Sequence, residues 1–374
     1  MLGIVFSAKK LKKIVNGKET QENMEFYYRL AEFYQVDLFM YDLQGLLRST
    51  DKVKGYFYSS DQKSLELKED RIPPINLFRA VFYKKKTHFR LKQIESRANC
   101  TFINLIGERN KWHIYSILRR KKYLLPFLPQ TMEFSQAALE RFLTTYSEVV
   151  IKPVNGAFGS RILVVKGRKR KKQVKYTERK KVRTVNMLDK DLYPFLLHRM
   201  GTTRSYLIQP YLSLQEYNGS KYDLRVSVQK GRAGRWEITG IVARVARENG
   251  IVTNVAQGGA AVSYFEVKGL IQPEIMEGIK ELSLSIAREI EQDQPMAADL
   301  GVDLAIDKKD RIWLIEVNFC DERYAYRESG DLKMWCNSYR YPFEYALNLY
   351  QKSLEKGGAD LDDQGEKSRG INPS

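Results

Sequence analysis

The chain has 374 residues, 43% of them hydrophobic and 12% aromatic, and its 63 Lys and Arg against 45 Asp and Glu give a formal charge of +18. This composition predicts a folded protein with a large core and excludes a disordered chain. No apolar run approaches the roughly 18–20 residues that cross a bilayer, so we expect no membrane span. The three cysteines and three histidines lack metal-ligand spacing. That argues against zinc chemistry and a disulfide framework, and it predicts a cytoplasmic location.

The first hundred residues predict a small α/β lobe. Apolar residues 2–6 and 36–43 predict strands on either side of a helical pattern at 20–34, with Thr20 as the expected N-cap. The order of strand, helix and strand indicates a parallel sheet. The polar residues 48–75 predict a loop or a short hairpin.

The rest of the chain predicts further helices followed by a run of strands. Helical patterns occur at 84–98, 111–120, 134–146, 273–292 and 342–354. Strand patterns occur at 148–153, 160–165, 205–212, 222–229 and 236–246. Residues 355–374 are polar and rich in glycine, and they predict a disordered tail.

Residues 298–318 predict a hairpin in which two apolar strands are joined by a polar turn at 307–310. Glu316 and Asn318 share one strand face because they are two residues apart, and the turn brings Asp303 opposite this part of the partner strand. Two acids and an amide provide the oxygen ligands that Mg²⁺ takes from protein. The alternative is the charged outer face of an ordinary hairpin, and this stretch alone leaves both interpretations open.

A glycine-containing loop joins the strands at 148–153 and 160–165. Gly156 and Gly159 allow backbone N–H groups to approach a ligand closely, while Ser160 adds a hydroxyl and Lys152 a positive charge. These groups suit phosphate binding. The loop lacks the ending of a P-loop and a strand follows it, so a hairpin turn that uses glycine for its geometry is the alternative.

Two arginines lie within apolar strands. Arg225 follows Asp223 by two residues and shares its strand face, and Arg244 lies in the next strand. A buried arginine is costly unless it is paired or meets an anion. An anionic ligand and a buried Asp223–Arg244 ion pair are both consistent with the pattern.

Most of the positive charge comes from residues 166–183, where eleven Lys and Arg stand against Glu178. The segment suggests contact with nucleic acid, a polyanion or an acidic substrate. A solvated surface hairpin is the favoured alternative. Nucleic acid is the less favoured partner because few aromatic residues interleave the charges.

The order of these parts resembles the ATP-grasp superfamily, from about residue 106 to 350. The segments NKWHIYSIL, YLLPFLPQT, IKPVNGAFGSRI and WLIEVN are similar, more narrowly, to the endospore-coat-associated YheC/YheD type. The resemblance implies an α/β (α+β) fold in which two subdomains clasp a nucleotide. It also implies an N-terminal lobe at 1–105, a grasp domain at 106–354 and the tail at 355–374.

The resemblance further implies ATP and Mg²⁺ as cofactors and assigns roles to residues. Arg225 and Arg244 would stabilise the transferred phosphoryl group. The metal ligands would be Asp303, Glu316 and Asn318. The nucleotide would be bound by Lys111, Lys152, the loop residues Asn155, Gly156, Gly159 and Ser160, and the hinge residues Gln209, Tyr211 and Leu212. The family's acidic hinge residue is missing, and Glu216 is the expected substitute.

The implied function is an ATP-dependent carboxylate–amine (or –thiol) ligase that forms an acylphosphate and is associated with the endospore coat. Its substrate would be an unidentified carboxylate or peptide, and coat components would be its partners. The family's small-residue turn after Asn318 is replaced by Phe319-Cys320-Asp321-Glu322-Arg323. This departure leaves the residues of the acceptor pocket unassigned. It also suggests a second hypothesis, a non-catalytic nucleotide-binding component of the coat.

Overall fold

The computed structural model describes residues 1–18, 20–48, 51–82, 84–107, 109–156, 161–167, 170–178, 181–201, 205–248, 250–253, 258–321 and 323–367. Its strands form three sheets that follow one another along the chain. The mixture of helices and sheets confirms the predicted α+β class. No helix among the described residues is long and apolar enough to cross a membrane.

The first sheet has the strand order β4-β3-β2-β1-β5-β6. Its strands are β1 (Leu2–Phe6), β2 (Leu38–Asp42), β3 (Lys52–Ser59), β4 (Ser64–Arg71), β5 (Ile75–Phe78) and β6 (Thr101–Ile103). Its helices are α1 (Ala8–Val15), α2 (Met24–Tyr34), α3 (Leu43–Arg48) and α4 (Lys85–Arg97). β1 pairs in parallel with β2 and β5, as predicted, but β3 and β4 are antiparallel, so the sheet is mixed.

One detail of this lobe differs from the sequence prediction. Helix α2 begins later than expected because its N-cap is Asn23, whose side chain accepts a hydrogen bond from the Glu25 backbone at 3.0 Å. The Thr20 hydroxyl instead donates to the backbone carbonyl of Glu22. The prediction of Thr20 as N-cap was therefore wrong. The polar segment after α3 forms the hairpin of β3 and β4.

The second sheet has the order β11-β10-β9-β8-β12-β7 and is antiparallel throughout. Its strands are β7 (Met132–Glu133), β8 (Glu148–Pro153), β9 (Leu163–Lys166), β10 (Lys171–Glu178), β11 (Lys181–Leu188) and β12 (Tyr206–Pro210). The helices of this region are α5 (Lys111–Leu118), a 3₁₀ turn (Lys122–Phe127), α6 (Gln136–Thr145) and α7 (Asp189–Met200). Helices α6 and α7 cover one sheet face, so alternation leaves Val150 and Lys152 on the other.

The third sheet is antiparallel in the order β16-β15-β14-β17-β18, with the short β13 beside β14. Its strands are β13 (Glu216–Tyr217), β14 (Ser220–Lys230), β15 (Trp236–Val245), β16 (Ala260–Ser263), β17 (Asp299–Ile306) and β18 (Ile312–Phe319). The short helix α8 (Tyr264–Val267), a 3₁₀ turn (Lys268–Leu270) and the long amphipathic helix α9 (Pro273–Asp293) complete this region. Helices α5 and α9 share its core.

The chain closes with α10 (Tyr324–Glu328) and α11 (Leu332–Lys367). Tyr339 and Phe343 of α11 share the core of the first lobe with Tyr27 and Ala31 of α2, so the last helix packs on the first lobe. The helix is longer than expected and includes most of the segment predicted as a disordered tail. The domain boundaries at 105 and 354 stay a prediction.

Candidate active site

A cleft of about 160 Å³ lies between the second and third sheets. Strands β8 and β12 line one wall, and β14, β15, β17 and β18 line the other. Its lining includes eight residues singled out in the sequence, which are Lys152, Gln209, Tyr211, Leu212, Asp223, Arg244, Asp303 and Glu316.

The predicted hairpin of acids is formed by β17 and β18. Asp303 lies directly opposite Glu316 in their antiparallel register, as expected, with a bulge between Asp303 and Leu304. The Asn318 side chain donates to Asp303 Oδ2 at 3.1 Å. Asp303 is almost fully buried, at 4% exposure, whereas Glu316 is partly exposed at the cleft. The three residues therefore converge, and the acids do not form the outer face of an ordinary hairpin.

Two lysines approach this group from the opposite side. Lys111 is the first residue of α5, and its Nζ lies 3.0 Å from Glu316 Oε1 while donating to the carbonyl of Gly156 at 2.7 Å. Lys152 projects from β8 and donates to the carbonyl of Ile315 at 3.2 Å. Burial lowers the pKa of Lys152 to about 8, an effect that Glu316 opposes and Lys111 reinforces. A polyanion bound beside Lys152 would favour the charged form and raise this pKa again.

The two arginines share Asp303. Arg225 donates to its carboxylate from Nε at 2.5 Å and from Nη2 at 3.2 Å, and Arg244 Nη2 lies 3.0 Å from Oδ2. Burial alone would raise the pKa of Asp303, yet the two guanidinium groups hold it below its ordinary value. Arg244 also forms a bidentate pair with Asp223 at 2.7 Å for each bond, so the ion pair considered from the sequence is present.

Three residues of this region were missed by sequence reasoning. Asp321 is fully buried and accepts from Arg225 Nη1 at 2.9 Å. A Cβ at Gly301 would lie 2.7 Å from Asp321 Oδ1 and 3.0 Å from Arg225 Nε, so glycine makes the room for this pair. Lys221 lines the cleft and donates to the Tyr211 hydroxyl at 2.8 Å. Asp321 belongs to the segment that departs from the ATP-grasp pattern. This departure was the one signal in the sequence that could have pointed to it.

The predicted hinge residues Gln209, Tyr211 and Leu212 all line the cleft. The Gln209 side chain is tied back to Thr131 Oγ1 at 2.7 Å, so it is fixed within the protein. Glu216 does not reach the cleft lining and instead pairs with Lys308 at 2.9 Å. The structure therefore does not bring the expected substitute for the acidic hinge residue to the cleft.

The glycine loop is described only at its beginning. Gly156 has a φ of +147°, a value that favours glycine, and its carbonyl binds Lys111 as described above. Asn155 precedes it, whereas the predicted positions Gly159 and Ser160 lie outside the described residues. Of the basic run, β10 and β11 form the expected surface hairpin at the edge of the second sheet.

Comparison with known proteins identifies a family. The profile of the YheC/D-like ATP-grasp family matches residues 99–349. The endospore coat-associated protein YheC of Bacillus subtilis (strain 168) is 24% identical over 319 residues, which cover 82% of this chain and 86% of YheC. YheD of the same strain is 28% identical over 251 residues, and this match covers 66% of the chain but only 55% of YheD.

Solved structures show the same fold at low sequence identity. The D-alanine-D-alanine ligase from Coxiella burnetii aligns with a TM-score of 0.51 at 10% identity, covering 96% of this chain and 99% of the ligase. The ATP-grasp ligase PsnB, solved with precursor peptide PsnA2 and AMPPNP, gives a TM-score of 0.52 at 14% identity, covering 94% of this chain and 98% of PsnB. At such identities the likeness shows the ATP-grasp fold alone.

Proposed function

The chain belongs to the YheC/D-like ATP-grasp family, and we propose that it is an ATP-dependent carboxylate–amine (or –thiol) ligase. The observation that supports this most directly is the convergence of cations and acids on one cleft. Lys152 and Arg244 line it together with Asp303 and Glu316, and Lys111 contacts Glu316. Cations that neutralise a triphosphate, next to acids that hold its metal, are what phosphoryl transfer requires.

The residues present fit Mg²⁺. Among the described residues no cluster of three or more His, Cys, Asp and Glu could hold a metal by itself. Asp303, Glu316 and Asn318 would provide three oxygen ligands, and nucleotide phosphates and water would provide the others, as Mg²⁺ prefers. When bound, the metal would neutralise phosphate charge. Lys111 would then exchange its bond to Glu316 for one to the nucleotide.

The proposed chemistry is that of phosphoryl transfer to a carboxylate, and the charges of the cleft support it. An oxygen of the substrate carboxylate attacks the γ-phosphorus of ATP, the bond to the ADP oxygen breaks, and an acylphosphate forms. An amine or thiol then attacks the acyl carbon and phosphate leaves. Arg225 and Arg244 stabilise the negative charge of the transferred group, and Lys111 and Lys152 hold the phosphates.

Binding is tested first, by thermal unfolding with ATP or ADP, with and without Mg²⁺. Ligand at a hundred times its dissociation constant should add about 2.7 kcal/mol of stability. Lys152→Met should abolish the shift, whereas Lys175→Met, a matched change of an exposed lysine on β10, should preserve it. A wild-type protein with no shift under any of these conditions would contradict the nucleotide assignment.

Turnover is tested second, by ADP release with a panel of carboxylic acids and acidic peptides, each combined with amines and thiols. Release that requires both Mg²⁺ and an acceptor supports a ligase. ATP stabilisation without turnover across the panel supports the second candidate, a non-catalytic nucleotide-binding component of the endospore coat. Its motivating observation is the burial of Phe319, Cys320 and Asp321 where the family pattern differs. The coat association of either candidate rests on the names of the relatives.

A further inference from the structure

Asp303 Oδ2 is surrounded by three donors, two of them from arginines. Arg225 Nε donates to Oδ1 at 2.5 Å, while Arg225 Nη2, Arg244 Nη2 and Asn318 Nδ2 approach Oδ2 at 3.2, 3.0 and 3.1 Å. An ionised carboxylate has about four lone-pair sites. Oδ2, with three donors for two lone-pair sites, therefore has to give up arginine contacts before it can bind a cation, whereas Oδ1 keeps one site open.

Each arginine has a second acid that does not take part in the proposed metal site. Arg225 Nη1 donates to Asp321 Oδ1 at 2.9 Å, and Arg244 donates twice to Asp223 at 2.7 Å. Asp321 is fully buried and Asp223 is 3% exposed. A buried guanidinium that loses one carboxylate needs another to remain compensated, and these two acids provide it.

Asp321 is itself held firmly in place. Ser227 Oγ donates to Asp321 Oδ2, and Arg79 from the end of β5 donates to the Asp321 carbonyl at 3.0 Å. The Asp321 backbone N–H points to Asp299 Oδ1 at 3.4 Å. Because the first lobe and the third sheet both hold it, Asp321 cannot follow Arg225 towards Asp303.

We infer that Asp321 and Asp223 are positioning residues, which retain Arg225 and Arg244 while Asp303 exchanges its arginine partners for Mg²⁺. Without them the arginines would pair more strongly with Asp303 and compete with the cation. The inference rests on the proposed function. It gives a role to the buried Asp321 in the segment after Asn318.

The test is a Mg²⁺ titration of Asp321→Asn and Asp223→Asn at saturating ADP, followed by thermal unfolding and by Mn²⁺ electron paramagnetic resonance. Outer-shell partners of metal ligands typically contribute 10–100-fold to metal affinity, so each variant should need roughly tenfold or more Mg²⁺ for half-saturation. ADP affinity without metal should change less than about threefold. Asp307→Asn is the matched control, because it removes a buried carboxylate of the same sheet that pairs with Arg311.

The outcomes separate this inference from the proposed function. A wild-type protein that binds neither ADP nor Mg²⁺ contradicts the proposed function. A wild type that binds both, with unchanged Mg²⁺ half-saturation in the variants, overturns the positioning role. An equal loss of Mg²⁺ affinity in Asp307→Asn also overturns it, because the loss would then follow from the removal of any buried negative charge in this sheet. The two variants are made separately, so a folded Asp223→Asn decides the question for Arg244 if Asp321→Asn fails to fold.

Discussion

Glu22 connects the first lobe to the buried ion pairs behind the active site, and its replacement by glutamine is the most quantitative test of the structure. Its Oε1 accepts from Arg79 Nε at 2.9 Å and Nη2 at 2.7 Å, and its Oε2 lies 3.6 Å from Arg323 Nη1. Lys10 Nζ lies 3.5 Å away. Glu22 is 6% exposed, so solvent screens these pairs little.

The expected loss in the free energy of unfolding follows from the pKa of the Glu22 carboxyl group. Burial opposes its ionisation, yet Arg79, Lys10 and Arg323 together lower the pKa of Glu22 from an ordinary value of 4.5 to about 2. This difference corresponds to about 3 kcal/mol of stability at pH 7. Because the pKa is lower in the folded state, the contribution is complete above about pH 4.5 and is lost as the pH falls towards 2. It should be about 2 kcal/mol at pH 3.5.

The assay is urea unfolding of the wild type and of Glu22→Gln at pH 7, 4.5 and 3.5. The free-energy difference between them should shrink in that order while the m-value stays constant. Glu66→Gln, an exposed change on β4, is the control and should differ from the wild type by less than about 0.5 kcal/mol. A difference for Glu22→Gln below about 1 kcal/mol at pH 7, or one independent of pH, would refute the reasoning.

Three further predictions concern the cleft. Since the pKa of Lys152 is about 8, wild-type ATP affinity measured by calorimetry should begin to fall as the pH rises through 8; an affinity that is flat to pH 10 would contradict this. Glu316→Gln should reduce acceptor-dependent ADP release roughly a hundredfold or more, because a metal ligand is lost; undiminished release would remove Glu316 from the metal site. Gly301→Ala should cost about 1–3 kcal/mol through overpacking against Asp321, whereas Gly269→Ala, with open space at its Cβ, should melt within a degree or two of the wild type.

The fold was largely predictable because most of its strands and helices have a recognisable apolar pattern in the sequence. Period-two apolar stretches located β8, β14, β15, β17 and β18, and a 3.6-residue period located α9. Their order along the chain was sufficient to identify the ATP-grasp superfamily. Element ends were less predictable, since a single side-chain bond decides them. Asn23 and not Thr20 caps α2 in this way.

The candidate site was predictable in part. The opposition of Asp303 and Glu316 follows from one turn and one register, both of which are local. The assignment of Glu216 to the hinge was not supported by the structure, because the chain directs that side chain towards Lys308. No local pattern distinguishes an acid that faces the cleft from one that pairs on the surface.

By itself the sequence determined the family, the order of the strands along the chain, and the candidate side chains for phosphate and metal binding. Only the tertiary structure decided which charges neutralise one another. Arg225 meets Asp303 and Asp321, 78 and 96 residues away, and Arg79 meets Asp299 across 220 residues. Such partners depend on the register of strands that are distant in sequence and on the docking of one lobe against another. Periodicity within a segment does not encode either of these.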